Sequence, residues 1–131
     1  MAEQAAGTNP VLVVEDDALL RETIVWALED DGLAVDSAVD GKDAVHRASV
    51  REPSLVVLDM TLPGLDGFGV AAELRRRFGG RVPILVVTAD GQPRQKAERV
   101  GAYSFLHKPF DVGVLVQQVR AGLGTRPETN P

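Results

Sequence analysis

The chain has 131 residues, 44% hydrophobic and 25% charged, with net charge −5 and no cysteine, the balance of one globular domain able to bury a core without cross-links. Disulfide frameworks and thiolate metal sites are excluded, and no apolar run approaches the ~18 residues of a membrane span. The N-terminus MAEQAAGTNP lacks a secretory signal's charged and apolar regions, the absence of cysteine fits a reducing cytoplasm, and the acidic balance argues against direct binding of nucleic acid.

VLVV (11–14) reads as a buried strand and is followed by Glu15-Asp16-Asp17. In ALLRETIVWALEDDG, Leu19, Leu20, Ile24, Trp26, Ala27 and Leu28 recur at helical spacing, with Trp26 read as core and Gly32 as the stop. AVDSAV (34–39) alternates apolar and polar residues, as a more exposed strand near a sheet edge does. GKDAVHRASV (41–50) is a second helix ending before Pro53, with His46 on its surface. SLVVLD (54–59) is a second buried strand and ends on Asp59. Pro63, Gly64 and Gly67 make the turn into a third helix, DGFGVAAELRRRFGG (66–80). Its Arg75-Arg76-Arg77 run complements the negative end of the helix dipole.

PILVVTAD (83–90) is a third buried strand, carrying Thr88. PRQKAERVGA (93–102) is a short polar helix opened by Pro93. YSFLHKPF (103–110) is a fourth apolar run, and it ends on Lys108 and Pro109. DVGVLVQQVRAGLG (111–124) is the last helix, with Asp111 as its N-cap. The domain is therefore placed at 10–123, between a flexible segment at 1–9 and a flexible tail or linker start at 124–131.

Strand and helix alternate throughout, which implies an α/β fold: a parallel sheet with helices on both faces. Ligands in such sheets sit beyond the carboxyl ends of the strands. Four strand exits then carry Glu15 and Asp16, Asp59, Thr88, and Lys108 to one edge. Three crowded carboxylates repel one another, and a hard divalent cation relieves that repulsion. The expected ion is Mg²⁺, held by Asp16 and Asp59 directly, by Glu15 through water, and by the backbone carbonyl of Thr61. A cation beside a carboxylate also suits phosphoryl chemistry, with Asp59 as nucleophile and Thr88 and Lys108 on the phosphoryl oxygens. Lys108 stands at its strand end to pair with Asp59, and Pro109 fixes the turn that aims it.

VLVVEDD, LDMTLPGLDGF, VVTAD and GAYSFLHKPF together resemble the receiver (REC) domain of bacterial two-component response regulators, over about residues 10–122. The resemblance implies a flavodoxin-like doubly wound sheet of five parallel strands in the order 2-1-3-4-5. It implies Asp59 as phosphoacceptor, Glu15 and Asp16 as the acidic pair, and Thr61 as the position giving a carbonyl to Mg²⁺. Thr88 matches the switch hydroxyl, Lys108 the family lysine and Phe105 the aromatic switch, and the Lys108-Pro109 bond matches ones usually cis. The implied partners are a sensor histidine kinase or histidine phosphotransfer protein and a separate or fused output domain. Such a domain is not an enzyme in the ordinary sense, with only weak self-catalysed phosphoryl transfer and autodephosphorylation. Phe105 stands where tyrosine is commoner, so no hydroxyl can report the switch, and AYS replaces an acidic pair that many DNA-binding members carry.

Two other functions compete. A Mg²⁺-dependent phosphohydrolase would place a second acid two residues after the nucleophile, where this chain has Thr61. A degenerate receiver, acting only as a binding module, would lack acceptor or metal residues, and here all are filled. Flavin binding lacks its phosphate-cradling loop after the first strand.

Overall fold

A computed structural model describes residues 9–124. The flexible segments expected at each end, and the TRPETNP tail, lie outside the described residues apart from Asn9 and Gly124.

The continuous apolar runs form β1 (Val11–Val14), β3 (Leu55–Asp59) and β4 (Ile84–Thr88), buried along their whole length. β2 (Val35–Ala38) and β5 (Ser104–His107) are only partly buried. The five strands are parallel in the order β2-β1-β3-β4-β5. β2 lies at one edge, as its alternating pattern predicts. β5, read as a fourth apolar run, is the other edge, which is why Phe105 and Leu106 are half-buried rather than enclosed.

Successive side chains on a strand point to opposite faces, so the sheet builds two cores. Val13, Val57 and Leu85 pack against Ile24 and Leu28 of α1 (Ala18–Asp30) and Leu115 and Val119 of α5 (Val112–Gly122). Leu12, Val56, Leu58 and Val86 face α2 (Gly41–Val50), α3 (Gly67–Phe78) and α4 (Pro93–Val100). Each fully buried aliphatic side chain contributes about 1.5–3 kcal/mol.

Trp26 is not core: it is 66% exposed, and Leu19 is 76% exposed. At ~100° per residue, Ile24 and Leu28 share the inward stripe of α1, and Trp26, two residues from each, falls on the opposite side.

Four of the five helices begin on an aspartate. Asp17, Asp40, Asp66 and Asp111 accept from the backbone N–H groups of Leu20, Asp43, Gly69, and Gly113 with Val114, each cap worth about 1 kcal/mol. α4 differs, with Gln92 at φ +62° and no side-chain cap before Pro93. Arg75, Arg76 and Arg77 occupy the last turn of α3 as expected. Gly67 does more than turn the chain, because a Cβ there would lie 2.6 Å from Cα of Met60. That close approach sets α3 directly behind Asp59.

Candidate functional site

The parallel register assembles the site. Val14 pairs with Leu58, so Glu15 and Asp59 occupy the next rung of neighbouring strands. Asp59 pairs with Val87, and Thr88 with His107, so Thr88 lies one rung beyond Asp59 and Lys108 two. The polar groups at this edge are as enclosed as the apolar core: Glu15 is 2% exposed, Asp59 3% and Thr88 0%. Asp16 is exposed.

One carboxylate oxygen from each of Glu15, Asp16 and Asp59 lies within 4.8 Å of the others. Lys108 answers two of these acids. Its Nζ is 3.0 Å from Glu15 Oε1 and 3.3 Å from Asp59 Oδ2. The sequence paired Lys108 with Asp59 alone; Glu15 is the nearer partner. Burial pushes the Glu15 carboxyl up to about 7, against the Lys108 and Asp17 hydrogen bonds and with the charge of Asp59 adding to the rise. Burial also works against the Lys108 ammonium, but its hydrogen bond to Glu15 and the charge of Asp59 outweigh it and hold the group above its usual range. Three acids share one ammonium, so the fully ionised cluster carries surplus negative charge. A hard dication fits that deficit and that all-oxygen donor set.

The remaining predicted residues fall around this cluster. The Thr61 N–H donates to Asp59 Oδ1 at 3.0 Å, which orients the carboxylate. Lys108 N–H donates to the Thr88 carbonyl at 2.8 Å, and the Lys108-Pro109 bond is cis. Asp17, the third acid of the EDD run, caps α1 and stands outside the acid cluster. Phe105 is half-buried at the β5 edge, with the Arg94 guanidinium 5.4 Å from its ring centroid. His46 and His107 are both exposed. A cleft of about 400 Å³, lined by Leu20, Ala89, Lys108, Pro109 and Phe110, opens beside the ammonium.

Asp90 was not singled out from the sequence. Its N–H donates to Thr88 Oγ1 at 3.1 Å, and its Oδ2 accepts from Thr61 Oγ1 at 3.1 Å and Lys96 Nζ at 3.2 Å. It therefore joins the two site loops to α4. The only signal was its place two residues after Thr88 in VVTAD. Arg21 also escaped notice; its Nη1 donates to the Glu15 carbonyl at 2.9 Å and braces the first loop.

The sequence matches the family of the response regulator receiver domain over residues 11–120. The chain is a response regulator receiver domain. Among its relatives are the transcriptional regulatory protein CseB of Streptomyces avermitilis, 37% identical over 123 residues, and the two-component response regulator PhoP of Pseudomonas aeruginosa, 38% identical over 113. These alignments take in 94% and 85% of this receiver domain but 51% and 50% of those proteins, so it spans about half the length of the curated relatives it matches. Its fold is similar to that of the chemotaxis protein CheY4 of Vibrio cholerae, with TM-score 0.80 and 28% identity over 88% of this chain and 99% of that one. The receiver domain of NtrX from Brucella abortus gives TM-score 0.80 and 31% identity over 88% and 98%. The expected fold and family are thereby established.

Proposed function

We propose that this receiver domain accepts a phosphoryl group on Asp59 and that Glu15, Asp16, Asp59 and the Thr61 carbonyl hold Mg²⁺ for that reaction. The observation that carries the reading is the buried Asp59 carboxylate, oriented by the Thr61 N–H and faced by Lys108, within 4.8 Å of two further acids. A bound Mg²⁺ would neutralise charge on the phosphoryl oxygens. A carboxylate oxygen of Asp59 attacks phosphorus, the bond from phosphorus to the donor's imidazole nitrogen breaks, and the leaving imidazole keeps the electron pair and takes up a proton. Lys108 and the Thr88 hydroxyl then stabilise the oxygens of the new aspartyl phosphate. Water slowly reverses the modification.

The donor in this reading is a sensor histidine kinase or a histidine phosphotransfer protein. A cleft of about 400 Å³ adjoins Lys108 on this edge. Phosphorylation draws the Thr88 hydroxyl toward the phosphate, Phe105 turns inward into the space it leaves, and the face formed by α4, β5 and α5 changes for an output domain. That output is fused to this chain or separate from it; the names of the relatives, regulators of twice the length, favour a transcriptional one.

Acetyl phosphate with Mg²⁺ should add one phosphoryl mass to the intact protein, and Asp59→Asn should abolish the addition. Mass gain that persists in Asp59→Asn, or that needs no divalent cation, would overturn the assignment. Repeated turnover of a generic phosphoester would instead make the chain a hydrolase.

A further inference from the structure

Charge is divided unevenly along this chain. Residues 75–99 hold seven of the 14 lysines and arginines against two acids, whereas residues 15–43 hold ten of the 19 acids against two bases. Several of the cations are matched. Arg47 pairs with Asp36 and Asp43, Arg76 with Glu73, Arg81 with Glu52, and Lys96 with Asp90. Arg75, Arg94 and Arg99 differ: among the described residues none has a carboxylate within ion-pair distance, and Arg94 stands over Phe105 on another face. Arg75 Nη2 donates to the Val100 carbonyl at the end of α4, 3.1 Å away. It lies so close to Gly101 that a Cβ there would collide with its guanidinium. The Arg99 guanidinium stands 4.3 Å from the centroid of the Phe68 ring. Arg75 and Arg99 line one cavity of about 300 Å³ between α3 and α4, with Phe68, Ala71, Ala72 and Val100.

The parts suit recognition of carboxylates. The tie to Val100 and the stack on Phe68 restrain two planar guanidinium heads before any ligand arrives, which lowers the ordering cost of binding. The carbonyl contact leaves most N–H donors of Arg75 unused, and guanidinium forks match carboxylates. Phe68 and Ala72 supply apolar surface, which a free inorganic anion would not use.

We propose that the α3–α4 cleft docks an acidic protein segment, with carboxylates on Arg75 and Arg99 and an aliphatic side chain against Phe68 and Ala72. The proposal does not depend on the phosphoacceptor reading.

The test is a titration of the ¹⁵N-labelled full chain with an acetylated, amidated octapeptide of glutamates with leucine at every third position. Amide shifts should concentrate at Phe68, Ala71, Ala72 and Arg99, together with the Nε–H signals of Arg75 and Arg99. Arg75→Gln and the more conservative Arg99→Lys should each weaken binding, and Arg99→Gln by roughly fivefold. Arg76→Gln removes the same charge from α3 at a position already paired with Glu73, and should change little. Shifts elsewhere or none, equal weakening by Arg76→Gln, or the same shifts from free glutamate or oligothymidylate at equal concentration would overturn the proposal. So would concentration-dependent shifts at these residues without peptide, which would make the occupant a second copy. Phosphoryl uptake from acetyl phosphate, measured on the same samples, should be unchanged in Arg99→Gln, which separates failure of this proposal from failure at Asp59.

Discussion

The interior of β3 and its last residue are equally buried and differ in what burial does. Leu58 is 0% exposed and Asp59 3%. Around Leu58 enclosure is its own reward: apolar area leaves water and the neighbours close-pack. One residue later enclosure costs free energy, because a carboxylate loses hydration and faces Glu15 across the rung. That cost is tolerable only because Lys108 and the Thr61 N–H meet the two oxygens of Asp59. Exposure alone therefore does not separate scaffold from site; the chemistry of the enclosed group does.

The largest expected effect lies in the interior. Leu58→Ala should lower the unfolding free energy by about 2–5 kcal/mol, from lost transfer energy plus a cavity, read as a shifted urea midpoint by circular dichroism. A loss near that of an exposed site would break the contrast from the core side. Next is Lys108→Met, which leaves Glu15 and Asp59 enclosed without their cation. We expect a loss of about 1–3 kcal/mol, less than for a fully buried pair because Lys108 is 21% exposed. Added Mg²⁺ should recover part of it, since the dication takes over the charge balance.

Asp59→Asn is smaller still. It removes a repulsion with Glu15, and its amide oxygen can still accept from Thr61, so stability should stay within ~1 kcal/mol while phosphoryl uptake disappears. That split between stability and chemistry is the sharpest form of the contrast, and a fold that collapses with Asp59→Asn would erase it. The smallest effect belongs to Trp26→Ala. A large side chain that is 66% exposed contributes little, and the change should fall within ~0.5 kcal/mol in the same urea experiment.

Trp26 also marks where reading the sequence fell short. The spacing in α1 gave the helix, but its apolar residues are too many for one stripe, and only packing against β1, β2 and α5 decided that Ile24 and Leu28 face inward. Asp90 is the converse. Nothing in VVTAD separates it from a loop acid, because its partners Thr61 and Lys96 lie on other segments and meet it only after the strands pair. The same holds for Lys108, whose nearer acid is Glu15, 93 positions away in sequence.

By itself the sequence determined the alternation of elements, the three enclosed strands, the Asp111 cap and the acids, hydroxyl and amine at four strand exits. These follow from local rules: apolar runs bury, aspartate caps free N–H groups, and parallel strands expose one common edge. The tertiary structure alone decided which of two acids Lys108 approaches first, that Asp90 joins the site loops, which face of α1 is wet, and that Arg75 and Arg99 share a cleft. Those are distances between residues far apart along the chain, set by register and helix packing, and no local pattern encodes them.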